Sequence, residues 1–324
     1  MNRAVFALVA ILFLLSVSSI TGLIQVVKAD GETIYINADG SISPPTAPIY
    51  TADNITYTLT GNITVANDGI DVERNNIVLN GAGYTVTGGL TISNGIRLWG
   101  VSNVTVENMM ITNFSTGIYV VYSSNNTLYG NNVAAKYAFG IVLGFSSGNT
   151  LSENNVTANI YDGIDLDSSS SNTLYGNTVT ANGKHGIYLV SSSNNILSGN
   201  NVANNYWGIE LSSSSNNSIY DNDFINNTQS QVISSNSTNA WDNGSSGNYW
   251  SDYLTRYPNA TEVDSSGVWN TPYVIDTNNT DHYPLTVPIV VLPEFQSIQA
   301  TMLFMLLTLL AVIVYKKKGV KSAS

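Results

Sequence analysis

Two sets of chemically useful side chains stand at fixed distances from a repeated glycine. The first set directly precedes the glycine and the second follows it by two positions; the members are Asp162, His185 and Trp207, and Asp165, Tyr188 and Glu210. Carboxylates and imidazole can transfer protons, and an aromatic face can pack on a sugar ring. With their neighbours, the candidate carbohydrate-binding residues are Asp162, Lys184, His185, Tyr188, Tyr206 and Trp207. Catalysis is not predicted; its candidates would be Asp165, Glu210 and His185.

Metal ligands are scarce in this chain. It has no cysteine, and its central part holds two histidines, His185 and His282, and two methionines, Met109 and Met110. Copper favours such ligands in a cluster, and their wide separation in the sequence argues against a copper site. Calcium needs about six to eight oxygen ligands, which only the segment 162–167 and the loop at Asp264 suggest. No metal or other cofactor is predicted, with calcium as the alternative.

The glycine belongs to a repeat of 22 or 23 residues. A Gly-Ile pair recurs at Gly95, Gly117, Gly140, Gly163, Gly186 and Gly208. Two further apolar columns have the same period; they are Leu128, Leu151, Leu174, Leu197 and Ile219, and Val133, Val156, Val179, Val202 and Phe224. Short alternations of apolar and polar residues indicate strands. Three short strands per repeat do not fit a helical repeat, and the frame of a leucine-rich repeat is missing.

This repeat predicts an all-β fold, a right-handed parallel β-helix in which each repeat forms one coil. Equivalent residues then stack about 4.8 Å apart, with the aliphatic columns inside. Two asparagine columns are expected to hydrogen-bond along the stack; they are Asn126, Asn149, Asn172, Asn195 and Asn217, and Asn131, Asn154, Asn177, Asn200 and Asn222. We expect these asparagines and the repeated glycines to occupy left-handed turns. Looped caps should cover both end coils, since an open strand edge promotes aggregation.

The same stacking predicts where the candidate residues lie. Alternation points Asp165, Asp167 and Trp207 outward to solvent, with Lys184 placed to meet a uronate. Asp165 and Glu210 lie two coils apart, roughly 9.6 Å along the stack. This separation is near the upper end of the ~6.5–9.5 Å range of inverting glycosidases, although any two acids two coils apart in one column would share it. A polysaccharide-active lyase, epimerase or hydrolase is therefore the alternative to a non-catalytic binding surface.

The charge distribution excludes one class of partner. Between the two hydrophobic ends stand five basic residues and all twenty-two acidic residues, a formal charge of −17. Binding to nucleic acid depends on Lys and Arg contacts with phosphate. We therefore predict no nucleic-acid partner.

Both ends of the chain carry targeting patterns. Residues 1–29 have a basic start, an apolar run and a small-residue site before Asp30, which predicts a signal peptide. Residues 298–315 are uncharged, a stretch of 18 residues near the lower limit of ~17–25 for a transmembrane helix. The lysines that follow, Lys316, Lys317 and Lys318, predict a cytoplasmic tail and an outward-facing body. The protein is thus expected to be exported and anchored at the outer face of the cell membrane.

The sequence before that apolar stretch carries a short motif. Pro293, Glu294 and Phe295, followed by the apolar segment and the lysines, resemble the PEF-type sorting signals of archaeal surface proteins. That resemblance implies cleavage near the motif by a membrane sortase and transfer to a lipid. A plain single-span anchor is the alternative.

Several motifs of the central region resemble one family of repeat proteins. The segments NNIVLNGAGYTVTG, NNTLYGNNV, FINNTQSQV and GNYWSDY are similar to those of NosD-like right-handed parallel β-helix proteins of archaeal surfaces. The resemblance covers about residues 55–285 and places the chain in the carbohydrate-binding and sugar-hydrolase group of β-helices. It implies the fold more specifically than the function, because the group includes lyases, epimerases, hydrolases, adhesins and a copper-maturation accessory protein.

An exported protein can also carry N-linked sugars. Twelve N-x-[ST] acceptor motifs are present; they are at Asn54, Asn62, Asn103, Asn113, Asn125, Asn155, Asn216, Asn226, Asn236, Asn243, Asn259 and Asn278. We predict a glycoprotein from these motifs.

The complete prediction assigns five regions and one function. They are a signal peptide (1–29), an N-terminal cap (30–68), β-helix coils (69–240), an aromatic-rich C-terminal cap (241–290), and a PEF motif, transmembrane helix and basic tail (291–324). The function is that of a surface-anchored structural, adhesin or glycan-binding module without catalysis. Its expected partners are the membrane and a surface polysaccharide or other envelope proteins. A NosD-like copper accessory protein is the second alternative.

Overall fold

The computed structural model describes residues 31–89 and 92–289, and the structural statements below refer to these residues. They form 28 strands and one short helix. The architecture is an all-β parallel solenoid of the right-handed type with about eight turns, which confirms the predicted fold class.

The strands are short except for two that run through a corner of the solenoid. In chain order they are β1 Ile34–Ile36, β2 Ile42–Ser43, β3 Ile49–Tyr50, β4 Thr56–Leu59, β5 Ile63–Thr64, β6 Ile70–Val72, β7 Val78–Asn80, β8 Thr85–Thr87, β9 Asn94–Trp99, β10 Thr105–Glu107, β11 Met110–Val121, β12 Thr127–Tyr129, β13 Asn132–Gly144, β14 Thr150–Ser152, β15 Asn155–Thr157, β16 Ile164–Asp167, β17 Thr173–Tyr175, β18 Thr178–Thr180, β19 His185–Val190, β20 Ile196–Ser198, β21 Asn201–Ala203, β22 Trp207–Ser212, β23 Ser218–Tyr220, β24 Asp223–Ile225, β25 Ser230–Ser235, β26 Tyr249–Trp250, β27 Tyr273–Asp276 and β28 Asn279–Asp281. The helix α1 is Tyr253–Arg256.

Each coil contributes one strand to each of three parallel faces. We call the face that carries the Gly-Ile pairs the front sheet; it contains β1, β6, β9, the ends of β11 and β13, β16, β19, β22 and β25. A second face is built from β4, β7, β10, β12, β14, β17, β20 and β23, and a third from β5, β8, β11, β13, β15, β18, β21, β24 and β26.

The predicted aliphatic columns form the interior. Ile164 and Leu166 of the front sheet are fully buried, while Asp165 between them points outward. The Leu128 column and the Val133 column are also buried, each in register with its neighbours on adjacent coils. In-register parallel pairing thus converts the sequence period into continuous apolar columns.

The two predicted asparagine ladders are present and buried. In each, the side-chain oxygen accepts the backbone and side-chain N–H groups of the asparagine one coil earlier. Asn177 Oδ1, for example, lies 3.0 Å from Asn154 N and 2.9 Å from Asn154 Nδ2. Two further buried ladders were not predicted; they are Asn159, Asn182, Asn205 and Asn227, and Ser123, Ser146, Ser169, Ser192, Ser214 and Ser237.

The predicted role of these residues in left-handed turns is wrong. The left-handed conformation belongs to the residue directly before each ladder position, such as Asn125 before Asn126 and Ser168 before Ser169. It turns the backbone so that the next side chain points inward.

The repeated glycines are not left-handed either. A Cβ at Gly163 would lie 2.5 Å from Val179 Cγ1 and 2.7 Å from Gly186 O. Glycine is required here because adjacent coils approach too closely for any side chain.

At the N-terminal end, β2 and β3 pair antiparallel with the first coil strands β1 and β4. Parallel pairing begins at β1, whose Ile34 aligns with Ile70, so coil stacking starts within the segment 30–68 that the sequence assigns to a cap. At the other end, Trp250 stacks on Phe224 at 4.7 Å and on Tyr273 at 4.2 Å between ring centroids. Aromatic residues of 241–285 therefore continue the apolar interior past the last coil.

Among residues 31–89 and 92–289, no helix has the length and apolar character needed to cross a membrane. The predicted signal peptide, the PEF motif and the apolar stretch 298–315 lie outside the described residues.

Candidate functional site

The two residue sets of the repeat lie side by side on the outer surface of the front sheet. His185 aligns with Trp207 on β19 and β22, and Tyr188 aligns with Asp165 on one side and Glu210 on the other. Their aliphatic neighbours point inward, so alternation directs the polar column outward. We call this surface the acid–aromatic strip; its members are Asp162, Asp165, Lys184, His185, Tyr188, Tyr206, Trp207 and Glu210.

His185 is the centre of the strip. Its side chain is 2% exposed, and Nδ1 lies 2.8 Å from Asp162 Oδ1, which also accepts the backbone N–H of His185 at 3.0 Å. Nε2 lies 2.8 Å from Glu210 Oε2, but the angle between the two groups does not allow a hydrogen bond. The two ring nitrogens of His185 therefore each face a carboxylate, and only the contact with Asp162 has hydrogen-bond geometry.

Aromatic rings cover both faces of this imidazole. The centroid of the His185 ring is 4.7 Å from that of Tyr188 and 4.9 Å from that of Trp207, with nearly parallel planes. Tyr206 packs edge-on against Trp207 at 4.5 Å and remains exposed at the rim. The stack accounts for the burial of a histidine on the outer side of the sheet.

The predicted exposure holds for Asp167 and is wrong for Asp165 and Trp207, which are partly covered. Asp162 and His185 are buried. The cause is the width of the aromatic and carboxylate side chains on adjacent coils, which shield one another although they point away from the interior.

Asp165 has an unusual environment. Its Oδ1 is buried and has no hydrogen-bond partner. Burial, followed by the nearby charges of Asp162 and Asp167, raises the pKa of Asp165 to about 7. An unpaired buried oxygen is unfavourable unless a ligand completes its hydrogen bonding.

The strip carries more carboxyl groups than cations, whereas the predicted contact of Lys184 with a uronate needs a positively charged surface. The Lys184 ammonium lies over the Tyr188 ring, 5.4 Å from its centroid. Against this one cation stand the carboxyl groups of Asp162, Asp165, Asp167 and Glu210. Such a surface repels an anionic sugar and suits a neutral one.

The remaining candidate residues lie elsewhere. His282 is in the C-terminal cap, 63% exposed, with Nδ1 3.0 Å from Asp242 Oδ2. It lines two clefts of about 440 Å³ each, beside Trp241 in one and Trp269 in the other. Met109, directly before β11, is buried, and Met110, the first residue of that strand, is exposed.

A bound metal ion needs several ligating side chains close together. No cluster of three or more His, Cys, Asp or Glu side chains able to hold a metal occurs in 31–89 or 92–289. Both ring nitrogens of His185 face carboxylates, and the methionines lie away from either histidine in the fold. The described residues therefore do not fit copper, and the loop at Asp264 does not assemble a calcium site.

The predicted glycosylation sites are mostly accessible. Ten of the twelve acceptor asparagines are exposed, while Asn62 and Asn113 are partly covered. Attachment of sugar at these sites remains a prediction.

Sequence reasoning missed one group of exposed aromatic residues on the same sheet. Trp99, Tyr122 and Phe145 stand at the fourth or fifth position after the repeated glycine on three consecutive coils. The recurrence of an aromatic residue at this distance from the glycine was the sequence pattern that could have indicated this group.

Fold and site together define a parallel β-helix protein with a polar–aromatic surface on one sheet. Residues 24–255 match the family described as "Periplasmic copper-binding protein (NosD)". The chain therefore belongs to the NosD family. No curated protein matches it.

Solved structures with a β-helix resemble this chain at low identity. The enzymatically active domain of bacteriophage CBA120 tailspike protein 2 has a TM-score of 0.48 and 13% identity, over 65% of this chain and 38% of the tailspike domain. The A-module of the Azotobacter vinelandii mannuronan C-5 epimerase AlgE6 has a TM-score of 0.42 and 16% identity, over 55% and 64% of the two chains. Pectate lyase Pel9A has a TM-score of 0.38 and 18% identity, over 60% and 68%.

Proposed function

We propose that this protein is an exported glycan-binding module that holds a neutral polysaccharide against the acid–aromatic strip without cleaving it. The observation that carries the proposal is the buried, unpaired Oδ1 of Asp165 beside the stacked rings of His185, Tyr188 and Trp207. A sugar hydroxyl would bind the accessible part of this incompletely hydrogen-bonded carboxyl group, and an aromatic face would cover the apolar side of the sugar ring.

The charge of the strip supports a neutral ligand. Its carboxyl groups outnumber its single ammonium, which is engaged with Tyr188. A uronate would meet like charges at close range, whereas neutral hydroxyl groups can donate to carboxylates without that cost.

Export is supported by the family and by the N-terminal sequence. The family is described as periplasmic, and residues 1–29 have the pattern of a signal peptide. We further propose that the C-terminal apolar segment, or a lipid attached after processing at the PEF motif, keeps the body at the outer face of the cell membrane.

The test compares the full-length protein with two single variants on neutral and acidic oligosaccharides. The panel contains cello-, xylo-, manno- and chito-oligosaccharides and the uronates of alginate and pectin. We expect binding to a neutral member, reduced at least about tenfold by Asp165→Ala and by Trp207→Ala. Tyr175→Ala is the control, because Tyr175 is exposed on a different face. Selective binding of uronates, or equal affinity of all variants, would contradict the proposal.

A second candidate function is acid–base catalysis on the same glycan. It is favoured by the raised pKa of Asp165, about 7, and by an imidazole held between two carboxylates. The discriminating measurement is release of new reducing ends from the bound oligosaccharide. Turnover that Asp165→Asn abolishes, with the affinity for the oligosaccharide retained, would establish an enzyme in place of a binding module.

A further inference from the structure

Three exposed aromatic side chains form a row at the corner where the strands of the front sheet end, on the coils that precede the strip. Trp99, Tyr122 and Phe145 are 50%, 57% and 56% exposed. Ring centroids are 5.7 Å apart between Trp99 and Tyr122 and 5.2 Å apart between Tyr122 and Phe145. We call this row the aromatic ladder.

Two of these residues occupy a backbone conformation that disfavours large side chains. Tyr122 and Phe145 have φ angles of 50° and 49°. The same corner is formed by Gly100 on the preceding coil and by Ser168, Ser191 and Ser213 on the following coils. A bulky residue with a left-handed backbone is uncommon and strained. The fold therefore accepts a small residue at this corner, and the exposed rings point to a role outside folding.

The ladder is an electrically balanced surface. The Arg97 guanidinium lies 5.7 Å from the centre of the Trp99 ring. Its charge is paired with the buried Asp71, with Nε 3.0 Å from Oδ2. Aromatic faces beside a closed ion pair suit the apolar face of an uncharged ring rather than an ion.

The ladder lies on the coils that directly precede the acid–aromatic strip and is offset from it along the coil. The backbone N–H of Phe145 donates to the carbonyl of Asp167 at 2.9 Å, whereas Val142, three positions before Phe145, aligns with Asp165. The offset is about 10 Å, at about 3.3 Å per residue. Together the two surfaces extend over six successive coils, roughly 24 Å along the axis at about 4.8 Å per coil.

The geometry points to the aromatic ladder as a second contact surface for one neutral polysaccharide strand that crosses the front sheet obliquely and also contacts the strip. The ligand class rests on the proposed function. A second copy of this chain is a poorer fit: three half-exposed aromatic side chains present roughly 300 Å². A stable dimer buries about 800 Å² on each partner.

The test uses a double variant that restores the residue type of the neighbouring coils, Tyr122→Ser with Phe145→Ser. Its melting temperature should stay close to that of the natural protein, because serine occupies the same corner on the following coils. The probes are disaccharides and hexasaccharides of the cello, xylo, manno and chito series. We expect hexasaccharide affinity to fall at least about tenfold, to the level of the disaccharide, with disaccharide affinity unchanged. Tyr175→Ser is the matched control.

The outcomes separate this inference from the proposed function. If the double variant keeps the preference for hexasaccharides while Trp207→Ala abolishes binding, the ladder inference is wrong and the strip remains the site. If the double variant loses hexasaccharide binding and Trp207→Ala does not, the ladder binds glycan and the proposed site at the strip is wrong. Binding of none of the probes contradicts both. Self-association in sedimentation that the double variant abolishes would assign the ladder to a second copy and overturn the inference.

Discussion

Asp162 and His185 stand on adjacent coils, and one carboxylate oxygen makes two contacts to the histidine. Asp162 Oδ1 accepts the backbone N–H of His185 at 3.0 Å and lies 2.8 Å from its Nδ1. The same two-point contact occurs on the exposed surface of the cap, where Asp242 Oδ2 lies 3.1 Å from His282 N and 3.0 Å from its Nδ1. One motif therefore occurs once buried and once exposed.

Removing the carboxylate of the buried pair should destabilise the fold. Asp162→Ala leaves the imidazole and the N–H of His185 without their partner, and we expect a loss of about 2–4 kcal/mol in the free energy of unfolding. Asp242→Ala, where water can replace the carboxylate, should cost less than about 1 kcal/mol. Denaturant unfolding of both variants measures the difference. Equal losses would mean that burial does not increase the contribution of the Asp–His contact to stability.

The burial of Asp165 predicts greater stability at acidic pH. Its folded-state pKa of about 7 is above the ordinary value of 3.8. The stabilising contribution of the protonated carboxyl is therefore complete below about pH 4 and is lost as pH rises through about 7. Relative to Asp165→Asn, the natural protein should lose of order 2–4 kcal/mol of stability between pH 4 and pH 8.

Melting curves at successive pH values test this relation. Asp264→Asn is the control, because Asp264 is exposed in a loop of the C-terminal cap, away from Asp165. The natural protein and the Asp264 variant should show the same pH dependence, whereas the Asp165 variant should show a weaker one. Parallel profiles for all three proteins would mean that Asp165 is hydrated and ionises normally.

The close approach of coils at the repeated glycines makes a methyl group costly. Gly163→Ala places a Cβ 2.5 Å from Val179 Cγ1. It should lower the free energy of unfolding by about 1–3 kcal/mol, and the melting temperature by several degrees. Gly144→Ala is the control, since its Cβ would have its nearest neighbour at 3.5 Å, an ordinary contact. A Gly163 variant as stable as the Gly144 variant would show that adjacent coils can separate without cost.

The buried asparagine ladders should be far more sensitive than the surface asparagines. Asn177 Oδ1 accepts two N–H groups, and its Nδ2 donates to Leu151 O at 2.8 Å and to Asn200 Oδ1 at 2.9 Å. Asn177→Ala leaves these buried groups unpaired, so we expect a loss of about 3 kcal/mol or more. Asn132→Ala, at an exposed position, should cost less than about 1 kcal/mol. Thermal unfolding distinguishes a continuous ladder from independent turns.

The predicted ends of the mature chain can be read by mass spectrometry of the protein from its native membrane. Cleavage of a signal peptide should leave Asp30 as the first residue. A C-terminal peptide that extends through Tyr315 into the lysines would exclude sortase processing. Replacement of Lys316, Lys317 and Lys318 by serine should weaken the outward orientation of the body, measured by protease accessibility in intact cells.

The period of the repeat by itself determined the fold and the register. Parallel coils stack residue on equivalent residue, so an interval of 22 or 23 positions in the sequence becomes contact between neighbours. The alignment of Asp165 with Tyr188 and Glu210, and of His185 with Trp207, follows directly from that rule and is present in the structure. The burial of the Leu and Val columns follows as well, because alternation assigns each side chain to one face.

Only the tertiary structure decided which outward residues are covered. Alternation states the direction of a side chain but not the size of its neighbours, and the rings of Tyr188 and Trp207 bury His185 on the outer surface. The unpaired oxygen of Asp165 and the position of Lys184 over Tyr188 depend on that same packing.

The backbone conformation at the corners and the close approach of adjacent coils were likewise not predictable from the sequence. The left-handed corners at Tyr122 and Phe145 carry residue types that do not favour that conformation, so no local preference indicates them. The repeated glycines indicate a constraint, but the distance from Gly163 to Val179 identifies it as the approach of adjacent coils rather than a turn. The repeat period determined which residues are neighbours, and three-dimensional packing determined what those neighbours leave exposed for a ligand.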